Sequence, residues 1–342
     1  MQFHIGGEMA AGTSIGIIGP GRMGIGIATA VLAAGKSYSI RLFDAKPREK
    51  NREYDALNKA ERQIRANLSL LHAEGRLLRP ADDLLEALQL SRSIEEELGG
   101  CDIVFEAVPE QLRLKKELLQ RIDPFVDERT LLASTTSTID LKAFEDSVSR
   151  PQNMLNTHWL NPAFIIPLVE VAVGDQTARS VIDRMTAFLS DLGKIPVVLQ
   201  SSPGFIVPRI QAAAMNEAVR IIEEGVASAE EIDTAVKAGF GFRLAVLGLV
   251  EFIDLGGVDI LYYADRFLQN ALSRDRFSPP ESVVEKMEKG EVGPRAKRGY
   301  YDYEGIDIDN LFTDRYRGFL ELLRCVERSE RLSFKGGIGK EG

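Results

Sequence analysis

Cysteine, histidine and tryptophan are scarce in this 342-residue chain, with two, three and one copies. Cys101 and Cys325 are far apart and form neither a CxxC pair nor a zinc-type spacing. This excludes a disulfide framework and a cysteine metal site, and points to a reducing cytoplasm. Positive charge is not in excess: 42 Lys and Arg against 51 Asp and Glu leave a net charge of −9, which argues against a general nucleic-acid or membrane-surface binder. No apolar run reaches the ~20 residues of a membrane span. The opening "MQFHIGGEMAAGTS" lacks the basic flank and long apolar segment of a signal peptide. What remains is a globular composition, 44% hydrophobic and 27% charged, in a length suited to two domains or three small ones.

Short apolar runs alternate with helix-patterned stretches through the first two hundred residues. Ile15 to Ile18 of "SIGIIGPGRMG", then "YSIRLFDAK", "CDIVFEAVPE", "TLLAST", "NMLNTHWL", "LVEVAVG" and "IPVVLQ" read as strands, and residues 23–34, 48–75, 114–125 and 176–193 as helical. Runs apolar throughout are those of a parallel sheet covered on both faces, so residues 14–200 are expected to form a mostly parallel, doubly wound α/β domain. The pattern changes at "SSPGF". Beyond it the spacing is helical, with a capping box at Ser228 and Glu231, and residues 201–330 are expected to be all-helical. Residues 1–13 and 331–342 read as a flexible extension and tail.

Gly19-Pro20-Gly21-Arg22-Met23-Gly24 follows the first strand and opens a helix, and Asp44 lies twenty residues past Gly24 at the end of the second strand. That context makes the glycine pattern a dinucleotide loop. Gly19 allows the tight turn, Gly21 lets the backbone approach a pyrophosphate, and Gly24 permits close helix–strand packing. Asp44 would take the ribose hydroxyls and repel a 2′-phosphate, which favours NAD; Lys46 and Arg48 offset this in part.

"NTHWLNPAFIIPLVEV" holds His158, the single tryptophan Trp159 and Glu170 in an otherwise apolar run. Two readings stand: a hydrogen-bonded core histidine, or a catalytic base oriented by Glu170. In the second, Trp159 and the run Phe164 to Leu168 are expected to pack around the pair. His4 lies in the extension and His72 in a charged helix, so neither competes as a base.

Taken together, "GIIGPGRMGIGIA", "CDIVFEAVPEQLRLKKELL", "ASTTSTI", "HWLNPAFIIPLVEV", "SPGFIVPRI", "EFIDLGGVDI" and "RGYYDY" resemble, in order and spacing, the 3-hydroxyacyl-CoA dehydrogenase family from about residue 14 to 303. The resemblance implies a Rossmann domain followed by a helical dimerisation domain, and a homodimer acting on a small molecule. It implies NAD as hydride acceptor from C3 of a 3-hydroxyacyl substrate. It puts the base at His158, its orienter at Glu170, a substrate-oxygen contact at Ser137 and nicotinamide-side geometry at Asn161. For the cofactor it implies Gly19, Gly21, Arg22, Met23, Gly24, Asp44, Ala107, Val108, Ser137 and Asn161, with Glu110 and Lys115 near the nicotinamide ribose and Arg295 near the cofactor. No metal is implied. The chemistry agrees, since loss of hydride from an alcohol needs a base for the hydroxyl proton.

Two departures bear on the substrate. Pro208 stands where the family usually has Asn near the acyl group, although a proline is also at home at a helix start. "GFGFRLAVLGLVE" is longer than the usual turn and carries Arg243, more like relatives acting on free hydroxy acids, the gulonate dehydrogenase, lambda-crystallin and carnitine dehydrogenase group. An arginine fork binds a carboxylate but has nothing charged to pair with in a thioester; the alternatives are a helix cap or a structural ion pair. The Ser and Lys that contact CoA in the family have no clear match here, but Lys59, Arg62, Arg65, Arg76 and Arg79 could meet its phosphates.

Overall fold

The computed structural model describes residues 12–329 and 331–334. They form two compact units that part between Ala214 and Met215. That is within a helix, downstream of the Ser201 break at which strand patterning stops.

The first unit is an eight-stranded sheet: β1 Ser14–Ile18, β2 Ser39–Phe43, β3 Leu88–Ser91, β4 Ile103–Glu106, β5 Leu131–Ser134, β6 Met154–Trp159, β7 Leu168–Val173 and β8 Ile195–Gln200. Its strand order is β3-β2-β1-β4-β5-β6-β7-β8. Every neighbouring pair is parallel except β6 and β7. The strands β6 and β7 are joined by too few residues for a crossover, which takes a dozen or more, so the second strand returns as a hairpin. The helices α1 Arg22–Ala33, α2 Asp55–Ala73, α3 Ala81–Leu85, α4 Ile94–Glu97, α5 Leu112–Ile122 and α6 Arg179–Asp191 complete the unit. The β3 strand was not apparent in the sequence. It is a four-residue edge strand, half exposed, made by pairing Leu88 with Ile40 and its neighbours in register.

Consecutive strand residues sort into two apolar clusters because side chains alternate across a pleated sheet. Ile17, Leu42 and Phe105 join one cluster with α1, α2 and α6. Ile18, Phe43 and Val104 join the other with Leu118 and Leu119 of α5. Both faces are thereby covered, which is why these strands read as unbroken apolar runs. The expected extension up to residue 13 is described only at Gly12 and Thr13, and both are tied to the second-strand region: Gly12 N donates to Ser37 O, and Ser39 N to Thr13 O. The rest of that extension and residues 335–342 of the expected tail lie outside the described residues.

The second unit is helical, as its patterning indicates. α7 Val207–Glu223 crosses the division, followed by α8 Ala229–Ala235, a π-helical turn over Val236–Gly241, α9 Phe242–Leu244, α10 Leu249–Gly256, α11 Val258–Ala271, α12 Arg274–Phe277, α13 Glu281–Lys289 and α14 Ile308–Arg328. Ser228 caps α8 in a complete capping box with Glu231. The buried Asp254 on α10 accepts from Tyr300 N, Tyr301 N and Tyr303 Oη at 2.9, 2.8 and 3.2 Å. The "EFIDLGG" and "RGYYDY" stretches therefore meet as a structural lock, and burial beside Asp254 pushes the Tyr303 hydroxyl pKa well up. Among the described residues no helix is long and apolar enough to cross a membrane.

Candidate active site

The dinucleotide loop lies at the C-terminal end of β1. Gly19 has φ +121° and packs so tightly that an added Cβ would stand 2.5 Å from the Ala107 carbonyl oxygen. Its N–H donates to Phe43 O at 2.8 Å. An added Cβ on Gly24 would lie 2.0 Å from Gly19 O, whereas one on Gly21 would meet nothing within 4 Å. The loop is therefore closed toward the protein and open at the glycine where a pyrophosphate would approach. α1 begins there at Arg22, and no side chain caps its N-terminus. Free N–H groups and the helix dipole suit an anion. Ala107 and Val108 follow β4 beside Gly19, and Asp44 follows β2. These residues fit NAD: Gly19 to Gly24 for the pyrophosphate, Asp44 for the ribose.

His158 and Glu170 face each other as register partners across the antiparallel β6–β7 pair. His158 Nδ1 lies 2.6 Å from Glu170 Oε2. Glu170 Oε1 accepts from Ile206 N and Val207 N, both at 2.9 Å, at the start of α7. Burial works to raise the Glu170 pKa, but the hydrogen bond with His158 and the two amides together hold it below the usual carboxylate value. The carboxylate therefore fixes hydrogen on Nδ1 and leaves Nε2 as the basic nitrogen. Pro208 comes directly after the two donating amides, where α7 needs no further N–H.

The packing around the dyad differs from expectation. Trp159 lies on the opposite face of β6, edge-on to Phe105 in the first cluster, because strand neighbours alternate. Ile165, in the expected packing run, is exposed. The ring against His158 is Phe205, with centroids 5.8 Å apart. Phe205 holds φ +45°, a strained value for a non-glycine residue.

Ser137 lies beyond β5 in a loop held from two sides. Glu110 Oε1 accepts from Thr136 Oγ1, Ser137 N and Thr138 N at 2.5, 2.9 and 3.2 Å. Asn156, on the same face of β6 as His158, donates to Ile139 O at 3.1 Å. Burial works against the charge of Glu110, but the Thr136 bond, the Lys115 ammonium and the loop amides lower its pKa overall. Lys115 is only 1% exposed. Its ammonium lies 2.9 and 3.0 Å from the two oxygens of the buried Glu106, and 3.5 Å from Glu110 Oε2. Ser134 Oγ and Val108 N complete the Glu106 shell. Lys115 thus braces the Ser137 loop from behind through Glu110.

Asn161 stands in the β6–β7 turn. The buried Lys194 clamps that turn, donating to Ala163 O and Ile166 O at 2.7 and 2.9 Å, and its burial lowers its pKa. The turn, α1 and α2 wall a cavity of about 570 Å³ lined by Gly21, Arg22, Lys59, Gln63, Asn161 and Phe164 among others. Of the basic α2-region side chains singled out from the sequence, Lys59 reaches this wall; Arg65 pairs with Glu61 and Asp82, and Arg79 donates to Asp83 O.

Arg243 and Arg295 belong to the second unit. The Arg295 guanidinium is engaged by both oxygens of Asp259 at 2.9 Å. Arg243 lies over the Phe252 ring, 5.4 Å from its centroid, and pairs with no carboxylate among the described residues. Reading the sequence missed Phe205, the Ile206 and Val207 amides, Glu106 and Lys194. All of them act through backbone groups or partners distant along the chain, which leave no local pattern.

Comparison with known proteins decides the family. The 3-hydroxyacyl-CoA dehydrogenase NAD-binding domain matches residues 14–202, and the C-terminal domain of the same family matches residues 204–303. The chain belongs to the 3-hydroxyacyl-CoA dehydrogenase family. It is an NAD-dependent oxidoreductase of the CH–OH class. The two matched regions meet at residue 203. The chain is 32% identical to 5-formyl-3-hydroxy-2-methylpyridine 4-carboxylate 5-dehydrogenase of Mesorhizobium japonicum, covering 93% of this chain and 99% of that one. It is 29% identical to 3-hydroxybutyryl-CoA dehydrogenase of Clostridioides difficile, covering 84% and 99%. A 3-hydroxyacyl-CoA dehydrogenase structure from Archaeoglobus fulgidus superimposes with a TM-score of 0.72 at 31% identity, covering 91% of this dehydrogenase and 99% of that chain.

Proposed function

We propose that this dehydrogenase oxidises the 3-hydroxy group of a short 3-hydroxyacyl-CoA, such as 3-hydroxybutyryl-CoA, with His158 as general base. The observation that carries this reading is the 2.6 Å contact of His158 Nδ1 with a Glu170 carboxylate whose other oxygen is taken by two amides. Nε2 accepts the substrate hydroxyl proton as the C3 hydrogen departs with its electron pair and the carbonyl forms. Bound NAD supplies the hydride acceptor. Ser137 Oγ hydrogen-bonds the reacting oxygen, and Asn161 holds the nicotinamide side. General-base help of this kind contributes roughly 10²–10⁴-fold. A non-catalytic dinucleotide-binding protein would have no use for such a dyad.

A second reading has a specific observation behind it. Arg243 has no carboxylate partner among the described residues, and the Mesorhizobium relative is named for a free pyridine carboxylate. A free 3-hydroxy acid, its carboxylate held by Arg243, is the alternative substrate. NADH formation should be measured with 3-hydroxybutyryl-CoA, free 3-hydroxybutyrate, L-gulonate and carnitine. His158→Asn should lower the activity found by roughly 10²–10⁴-fold; unchanged NADH production would refute the dyad. Arg243→Ala should remove activity on free acids and spare the ester, and the opposite pattern would sink the carboxylate clamp.

The working form we propose is a cytoplasmic homodimer. Its support is the net charge of −9, the two lone cysteines and the exposed apolar side chains of the helical unit, Met215, Val219, Ile260, Tyr263, Phe267 and Leu320 among them.

A further inference from the structure

Discrimination between NAD and its 2′-phosphorylated form turns on Asp44, and that carboxylate does not stand alone. Arg48 Nε donates to Oδ2 at 2.9 Å. Arg92 Nη1 approaches the same oxygen at 3.2 Å from the end of β3. Arg92 is itself fixed, donating to Asp44 O and Lys46 O at 2.8 and 2.9 Å. Arg48 has Asp44 as its side-chain anchor and remains 32% exposed, against 20% for Arg92. Lys46 N donates to Oδ1 at 3.1 Å. The neighbouring acid Glu95 is occupied by Arg121, 2.6 Å away. One carboxylate therefore faces two guanidiniums at the place where an adenosine ribose would present its 2′ position.

We propose that Arg48 and Arg92 form a 2′-phosphate subsite masked by Asp44, so that a single carboxylate sets the preference for NAD. Asp44 acts twice: it occupies both guanidiniums, and its charge repels a phosphate that carries about −1.5 to −2. With that charge gone, Arg48 is released to meet phosphate oxygens, and Arg92 stays held beside it by Asp44 O and Lys46 O with its guanidinium charge unpaired by a carboxylate. The consequence is that the protein binds NADPH weakly as it stands, and that neutralising Asp44 reverses its preference.

The test is titration of the full-length protein with NADH and with NADPH, followed by nicotinamide fluorescence without substrate. Since no turnover is read, failure of the His158 reading would leave this result untouched. Asp44→Asn keeps the side-chain shape and the Lys46 amide contact. It should tighten NADPH by about tenfold or more, the scale of a charge-assisted hydrogen bond, and weaken NADH. Adding Arg48→Ala or Arg92→Ala should remove that gain. Arg48→Ala alone, on a partly exposed side chain that tolerates truncation, should weaken NADPH more than NADH. The proposal is overturned if Asp44→Asn leaves NADPH binding unchanged, if the gain survives loss of both arginines, or if Arg48→Ala lowers both affinities equally.

Discussion

The two units solve the burial problem differently. The sheet unit contains both buried apolar clusters, and successive residues of β1, β2 and β4 feed opposite faces of one sheet. The helical unit has neither; α14 runs 21 residues without a buried side chain, and Phe267 on α11 is 70% exposed. What the helical unit does bury is sparse: the Asp254 carboxylate with the loop it pins, and single apolar side chains such as Leu247, Val258 and Val283. A pleated sheet flanked by helices on both faces buries its strands completely, whereas a helix with one apolar stripe needs a second layer. The proposed chemistry sits on the sheet unit, where strand register sets His158 opposite Glu170. The helical unit leaves apolar side chains such as Phe267 and Met215 exposed, the face on which the proposed homodimer rests.

The sharpest test of that contrast is His158→Asn. It should cost roughly 10²–10⁴-fold in turnover with a modest loss of thermal stability from the missing Glu170 bond and an unchanged oligomeric state; an activity loss that only tracks unfolding would mean the dyad is structural. Phe105→Ala should cost about 3–5 kcal/mol in urea unfolding, since its ring packs on Trp159 and Phe188 in the sheet core. Asp254→Ala strands three donors and should cost about 3 kcal/mol, confined to the transition of the helical unit; a shift in the sheet transition instead would dissolve the distinction drawn here. Phe267→Glu should cost under about 1 kcal/mol of fold stability, as for an exposed site, yet shift sedimentation toward monomer. An unchanged sedimentation profile would leave the helical face without its proposed partner. The smallest effect concerns acid. The Glu170 pKa is depressed in the folded state, so its stabilisation is present above the ordinary carboxylate value and is lost as pH falls through the folded one. Glu170→Gln should therefore unfold with a shallower acid limb than the parent.

Much of the sheet was legible because a strand buried on both faces is apolar at every position, as at Ile15 to Ile18. The edge strand Leu88–Ser91 was not, since half exposure erases that mark and only pairing with β2 defines it. Among site residues, the glycine loop was legible because each glycine answers a steric demand that recurs with the motif. Trp159 was misread, because adjacency in sequence places a side chain on the other face of a strand.

The sequence alone determined what is local or periodic: the order of strands and helices apart from the edge strand Leu88–Ser91, the end of strand patterning near Ser201, the glycine loop with its acid, and the spacing from His158 to Glu170 that allows a short hairpin. The tertiary structure decided what depends on partners far along the chain. It turned β7 antiparallel and set Glu170 opposite His158, buried Lys115 against Glu106 behind the Ser137 loop, and brought Arg92 across 48 residues to the Asp44 carboxylate. The reason is physical: periodicity and sterics act over a few residues, whereas the pairing of a buried charge is settled only when the whole sheet has brought its partner there.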